Sequence, residues 1–170
     1  WDYDMPEHPI LIDITVDGQR IPAVVQLTKQ AFAYVFDRRT GKPVWPMEER
    51  PVPQSDAPGE KTAKTQPFPT KPAAFDVQGI SHDDLIDFTP ELRAEALQVL
   101  KRYRYDGSPF GPPAVGEVNG RQGGIGASTA TNWPASAYDP ETRTVFAQAG
   151  NAGISSRSLA PMPPGFSDIR

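Results

Sequence analysis

The first third of the chain alternates apolar and polar residues with the two-residue period of a β-strand. This pattern predicts strands at residues 10–16, 21–27 and 31–37. Asp17-Gly18 separates the first two strands, and both residue types tolerate the positive φ angle that a tight hairpin turn requires. Residues 43–45 have the composition of a short fourth strand. Four short antiparallel strands form one blade of a β-propeller.

The middle of the chain loses this periodicity from residue 46 to about residue 80, where prolines recur. A loop of this length without secondary structure is uncommon in a compact domain, so we expect an ordered excursion that packs on the fold through Phe68 and Phe75. One helix is predicted at residues 89–104. Thr89 is a natural N-cap, and Pro90 suits the first helical position.

The last third returns to strand-like sequence. Residues 116–126 are rich in glycine, and strands are predicted at 135–139 and 144–148 on either side of a turn. The predicted organisation is therefore blade strands over residues 1–46, the Pro-rich excursion and helix over 47–115, further blade strands over 116–160, and a loop or tail over 161–170.

Composition excludes some kinds of function. The chain has 170 residues and a formal net charge of -4, which argues against a nucleic-acid partner because no basic surface would neutralise phosphates. It has no cysteine, so disulfides and thiolate metal sites are excluded within it. His8 and His82 show no spacing typical of metal ligands.

Two stretches share a turn pattern. Residues 34–45 carry Asp, Thr, Gly and Trp at fixed offsets, and residues 137–146 repeat the first half of this pattern. The first stretch resembles the tryptophan-docking repeat of the pyrroloquinoline-quinone (PQQ) dependent dehydrogenases. The second stretch departs from it, because Arg143 replaces the glycine and no tryptophan follows.

The opening of the chain resembles the catalytic stretch of the same family. Trp1-Asp2-Tyr3-Asp4 is followed by two prolines, a hairpin and Lys29, and the resemblance implies that Asp2 is the general base and that Lys29 contacts the quinone. Thr131-Asn132-Trp133-Pro134 resembles the Asn-Trp pair of the family, which implies that Asn132 reaches the cofactor and that Trp133 packs nearby. Residues 50–54, 65–68 and 104–107 resemble the membrane-type glucose dehydrogenase branch in particular.

The resemblance implies an all-β fold, part of an eight-bladed β-propeller with a long Pro-rich loop and one inserted α-helix. It implies PQQ and a divalent cation as cofactors, with calcium or magnesium favoured over a lanthanide and with Asp2 and Asp4 as the cation ligands. The expected substrate is an alcohol, a sugar or a polyol, and the expected location is the periplasm. The residues here suffice for two or three blades, so we expect other chains or segments to complete the propeller.

Other interpretations remain open on the residues alone. Without the resemblance, Asp2 would be a solvated carboxylate and Lys29 a solvated residue at a strand end. Asn132 would be a turn residue, and Trp133 would belong to a core. The competing hypothesis for the function is a non-catalytic PQQ-like propeller that acts as a scaffold or interaction module. The substrate and the electron acceptor are not specified by the sequence.

Overall fold

The computed structural model describes residues 4–115, 123–129, 136–160 and 163–166. Within these residues the chain forms short sheets, three antiparallel and one mixed, and one α-helix. The strands are β1 (Ile10–Val16), β2 (Gln19–Leu27), β3 (Ala33–Asp37), β4 (Met47–Pro51), β5 (Thr65–Pro69), β6 (Ala114–Val115), β7 (Gly124–Thr129), β8 (Ser136–Asp139), β9 (Thr144–Ala147) and β10 (Asn151–Leu159), and the helix is α1 (Pro90–Leu100). Their order in the sheets is β1-β2-β3, β4-β5, β6-β10-β7 and β8-β9.

The first sheet is a meander of three strands. β1 and β2 pair in antiparallel register from Ile10 opposite Val25 to Val16 opposite Gln19. Asp17 and Gly18 turn the chain with φ angles of 50° and 77°, which confirms the predicted hairpin. β2 then pairs with β3 along its other edge.

One face of this sheet carries the first core cluster. Its buried members are Ile10, Ile12, Ala23, Val25, Leu27, Ala33 and Val35. Trp45 and Phe75 pack against it, and so do Val145 and Ala147 of β9. The hairpin of β8 and β9 is therefore seated on the first sheet, although a hundred residues of sequence separate them.

The opposite face of β3 carries a second, aromatic cluster. Because side chains alternate along a strand, Phe32 and Tyr34 point away from the first cluster and join Val52 and Phe110. The Phe68 ring lies edge-on between Phe32 and Phe110, with centroids 5.4 and 5.5 Å away. The packing of Phe68 and Phe75 agrees with the expectation that the Pro-rich segment is anchored on the fold.

Two predictions of secondary structure in this region are wrong. Residues 43–45 form no strand, because only one isolated bridge joins Pro43 to Phe36. Proline has no backbone N–H, and a second proline follows at position 46, so the ladder stops there. The segment from residue 46 to 80 is not without regular structure either, since β4 and β5 pair from Met47 opposite Pro69 to Pro51 opposite Thr65.

The predicted helix is present but shorter than expected. Thr89 has an extended backbone, and its side chain accepts a hydrogen bond from the N–H of Leu92, so the predicted N-cap is confirmed. The helix ends at Leu100, its buried residue, rather than at residue 104. Lys101 takes the C-cap position, and the following residues continue as turns.

The two related turns have the same construction. In the first, the Asp37 carboxylate accepts from the N–H of Arg39 at 2.8 Å, and Gly41 has a φ of 70°. In the second, the Asp139 carboxylate accepts from the N–H of Glu141 at 2.9 Å, and Arg143 has a φ of 58°. Arg143 thus occupies the left-handed position that a glycine holds in the first turn.

Candidate functional site

The site residues gather at one end of the first sheet. β1 begins, β2 ends and β3 begins at this end, so residues 4–9 and 28–32 meet there. The hairpin turn at Asp17 and Gly18 lies at the opposite end. The antiparallel topology therefore brings the opening stretch of the chain to the turn that carries Lys29.

The turn from Thr28 to Phe32 is rigidly bonded. The Thr28 N–H donates to the Phe32 carbonyl at 3.1 Å, and the Ala31 N–H donates to the Thr28 carbonyl at 2.9 Å. The Thr28 hydroxyl oxygen also accepts from the Phe32 N–H at 3.3 Å. Ala31 is completely buried with a φ of 63°, a conformation that costs an L-residue about 1–2 kcal/mol and that these bonds maintain.

Lys29 lies in this turn, at the end of the sheet where the site residues gather. Its side chain is 15% exposed, and its Nζ forms an ion pair with Oδ1 of Asp4, whose side chain is 60% exposed. The charged groups of two residues that the sequence singled out are thus in direct contact. Their pairing follows from the meeting of residues 4–9 with the turn after β2.

Two further polar residues lie buried near this turn, and no local sequence pattern indicates either of them. Glu7 is 5% exposed, and among the residues that the structure describes neither of its carboxylate oxygens has a hydrogen-bond partner. Its backbone carbonyl accepts from Nε2 of Gln26 at 3.0 Å, which ties the segment before β1 to the end of β2. Gln30 is 8% exposed, and its Oε1 likewise has no hydrogen-bond partner within the described part of the chain. Buried acceptors of this kind favour a ligand that carries hydrogen-bond donors or positive charge.

Residues 75–78 also form hydrogen bonds with the turn that carries Lys29. The Phe75 N–H donates to the Ala31 carbonyl at 3.0 Å, and Nε2 of Gln78 donates to the Gln30 carbonyl at 2.6 Å. Asp76 Oδ2 and Gln78 Oε1 are additional buried oxygens that have no hydrogen-bond partner in residues 4–115, 123–129, 136–160 and 163–166. The Pro-rich excursion therefore contributes polar groups next to the turn, as well as apolar packing to the core.

The remaining predicted site residues are not placed by the structure. Asp2, Asn132 and Trp133 lie outside the described residues, so their proposed roles stay predictions. Within residues 4–115, 123–129, 136–160 and 163–166, no group of three or more His, Asp or Glu side chains is arranged to hold a metal ion. His82 stacks on Tyr105, with ring centroids 5.9 Å apart.

The family model described as "PQQ: Glucose/ethanol/alcohol dehydrogenase, beta-propeller domain" matches residues 1–163. The chain belongs to this family. Its resemblance to the PQQ-dependent dehydrogenases is thereby confirmed.

Curated members of the PQQ dehydrogenase family are similar to nearly the whole chain. The large subunit of glycerol dehydrogenase from Gluconobacter thailandicus is 34% identical over 153 residues, which is 86% of this chain and 20% of the relative. Quinate/shikimate dehydrogenase (quinone) from Acinetobacter baylyi is 34% identical over 157 residues, 91% of this chain and 19% of the relative. Quinoprotein glucose dehydrogenase from Gluconobacter oxydans is 34% identical over 166 residues, 97% of this chain and 20% of the relative.

The chain spans about a fifth of the length of these relatives. No solved structure matches it significantly. Among the residues that the structure describes, no helix has both the length and the apolar character needed to cross a membrane.

Proposed function

We propose that this chain is part of a protein that oxidises an alcohol, a sugar or a polyol. PQQ would be the acceptor of the electrons. The observation that carries the proposal is the position of Lys29, a mostly buried ammonium group held at the sheet end to which the opening stretch leads. Asp4 is in contact with this ammonium, and Asp2 precedes Asp4 by two residues. The family membership and the names of the relatives support the same reaction.

The residues at this sheet end fit a polar quinone cofactor. Lys29 supplies positive charge in a shielded environment at this end of the sheet. When bound, PQQ supplies a two-electron acceptor that takes up hydride from the substrate carbon. We propose that Lys29 lies against a quinone oxygen, where negative charge develops, because a fixed positive charge is most effective there. Asn132 and Trp133 would bind and orient the cofactor.

Asp2 would act as the general base. The substrate hydroxyl must lose its proton as its carbon loses hydride, and a carboxylate within hydrogen-bond reach of the hydroxyl accepts that proton. The carbonyl product then leaves, and the carboxylate returns its proton to solvent. A divalent cation, calcium or magnesium, would bind near Asp2 and Asp4 and increase the electrophilicity of the acceptor.

The complete protein requires more polypeptide than this chain. We propose an eight-bladed propeller in which other segments or chains supply the remaining blades, with the Pro-rich segment as an excursion from this part. The sheet edges that β1 and β3 present would pair with or pack against those segments. We propose that the protein works in the periplasm and passes electrons to an acceptor that the sequence does not identify.

The experiment is reconstitution of the intact protein with PQQ and calcium. We expect the absorbance of bound quinone and the dye-linked oxidation of an alcohol or sugar. Asp2→Asn should retain the bound quinone and lose at least about a hundredfold in kcat, because general-base catalysis contributes on that scale.

Asp17→Asn is the matched control. It removes one carboxylate from the far end of the same sheet, and asparagine tolerates the positive φ at that position. Its kcat should equal that of the wild type. Binding of PQQ by an intact protein that oxidises no alcohol, sugar or polyol would favour the scaffold hypothesis instead, and so would an Asp2→Asn variant with full activity.

A further inference from the structure

We infer that Asp4 is a positioning residue for Lys29, whose ammonium group it holds in place for the quinone. The inference deepens the proposed function and rests on it. It gives Asp4 a role that acts through another side chain, whereas the resemblance alone suggests Asp4 as a cation ligand.

The first argument concerns the flexibility of Lys29. The hydrogen bonds of the turn fix the backbone of residues 28–32, but a lysine side chain has four rotatable bonds beyond its Cα. A rigid turn therefore does not by itself fix Nζ. The contact with Oδ1 of Asp4 restrains the tip of the side chain directly.

The second argument concerns the position of Asp4 itself. The Asp4 side chain is more than half exposed. Asp4 can therefore hold the Lys29 ammonium in place only if its own backbone is restrained. Two residues later Pro6 limits the backbone, and the carbonyl of Glu7 is bonded to Gln26 at the end of β2. The segment that carries Asp4 is thus fastened to the strand that leads to Lys29.

The third argument concerns the cost of binding. A side chain that is already ordered loses less conformational entropy when a ligand arrives, so a held ammonium binds more tightly than a mobile one. The Lys29 side chain is 15% exposed, and its ion pair with Asp4 also restrains the ammonium from turning elsewhere into water. Replacement of Asp4 should therefore weaken quinone binding, although the Lys29 ammonium can still contact the quinone.

The test is a double-mutant cycle in the intact protein. Asp4→Asn, Lys29→Gln and the double variant are titrated with PQQ at saturating calcium, with the quinone absorbance as the signal. We expect Asp4→Asn to weaken PQQ binding roughly tenfold, about 1.4 kcal/mol. In the Lys29→Gln background Asp4→Asn should have no further effect, because Asp4 acts through Lys29.

Two additional readouts separate the possible outcomes. The first is the rate at which an amine-reactive ester labels Lys29, measured by peptide mass spectrometry against the exposed Lys42 of the same protein. It needs no quinone, and Asp4→Asn should raise it severalfold, whereas Asp17→Asn should leave it unchanged. The second is the calcium bound per protein, which is compared with the labelling rate of the same variant because the cation is also proposed to bind near Asp4.

The inference is overturned by additive effects in the cycle, by an unchanged labelling rate in Asp4→Asn, or by loss of calcium with Lys29 labelling unaltered. The last result would make Asp4 a cation ligand only. A wild-type protein that binds no PQQ contradicts the proposed function and the quinone part of the inference. The labelling rate then still decides whether Asp4 anchors Lys29.

Discussion

At the residue scale, Arg143 has a backbone conformation that L-residues rarely adopt. It has a φ of 58° at the position where Gly41 of the related turn has 70°. An L-residue in this region loses about 1 kcal/mol or more to the contact between its Cβ and the following carbonyl. The turn keeps this conformation because the Asp139 carboxylate binds both the Glu141 N–H and the Thr142 hydroxyl.

Arg143→Gly should therefore stabilise the hairpin of β8 and β9 by about 1 kcal/mol. The measurement is native-state hydrogen exchange of the β9 amides in the intact protein, which reports local opening. Gly41→Arg is the converse variant. A Cβ at position 41 meets no atom within 4 Å, so this substitution should destabilise the first turn by a similar amount through the backbone alone. If Arg143→Gly and Arg143→Ala behave alike, backbone strain is not the cause.

Turns and helix caps can be predicted from the sequence, because their structure depends on residues that are neighbours in the chain. The turn at Asp17 and Gly18 and the cap at Thr89 are of this kind, because the local backbone alone selects the residue type. The pairing of Asp4 with Lys29 and the burial of Glu7 depend on segments that meet through the sheet topology. No local pattern encodes such contacts, and the resemblance singled out Asp4 and Lys29 without indicating that they pair.

The helix α1 shows how one side chain defines the beginning of an element. Thr89 satisfies the N–H of Leu92, one of the four donors that have no partner within the helix. Most of α1 is exposed, with Leu100 as its buried residue, so core packing contributes little to its first turn.

Thr89→Ala should cost about 1 kcal/mol of local stability at the beginning of α1. The amides of the first helical turn should exchange faster, whereas those of β2 should not change. Gln98→Ala is the control, because this exposed position lies within the helix and alanine is an excellent helix former. Equal exchange rates in Thr89→Ala and the wild type would contradict the capping role.

The hairpin of β4 and β5 shows where element prediction fails. Pro51, Pro67 and Pro69 lie in its strands, and prolines in a sequence argue against a strand. A two-stranded sheet tolerates them because each strand has an outer edge that needs no donor. The hydroxyl of Tyr34 also donates to the Pro67 carbonyl at 2.8 Å, a contact from β3 that the sequence of this segment does not contain.

At the scale of the whole molecule, five of the described carboxyl groups have a pKa that is lowered in the folded state. The pKa of Asp13 is lowered chiefly by its hydrogen bond from Arg20, and that of Asp37 by its hydrogen bond from Arg39. Hydrogen bonds also lower the pKa of three further groups, which are Asp84, Glu91 and Asp139. A lowered pKa means that the folded state binds fewer protons than the unfolded state.

These groups stabilise the fold at pH values above the ordinary carboxyl pKa of about 4, and their contribution is lost as the pH falls through the lower pKa of the folded state. We expect the urea midpoint of the intact protein to be constant from pH 6 to 5 and to decline between about pH 4 and 2. Asp139→Asn should reduce the size of this decline. A midpoint that is equal at pH 5 and pH 3 would contradict the expectation.

The propeller assignment came from the resemblance and not from hydrophobic periodicity. Periodicity located β1, β2 and β3 and the hairpin of β8 and β9, because each alternates over its own length. It did not show that β9 packs on β1 and β3, since contacts between segments a hundred residues apart have no local signal. The number of blades remains a prediction for the same reason.

β3 separates two interiors that differ in chemistry. Ala33 and Val35 supply small and branched aliphatic groups to one, and Phe32 and Tyr34 supply rings to the other. Insertion or deletion of a single residue within β3 would turn the side chains on one side of the change to the opposite face of the sheet. Aromatic rings would then face the interior that now receives Ala33 and Val35. We therefore expect insertions and deletions among natural relatives to fall in the connection between β4 and β5. We expect the length of β3 to stay constant.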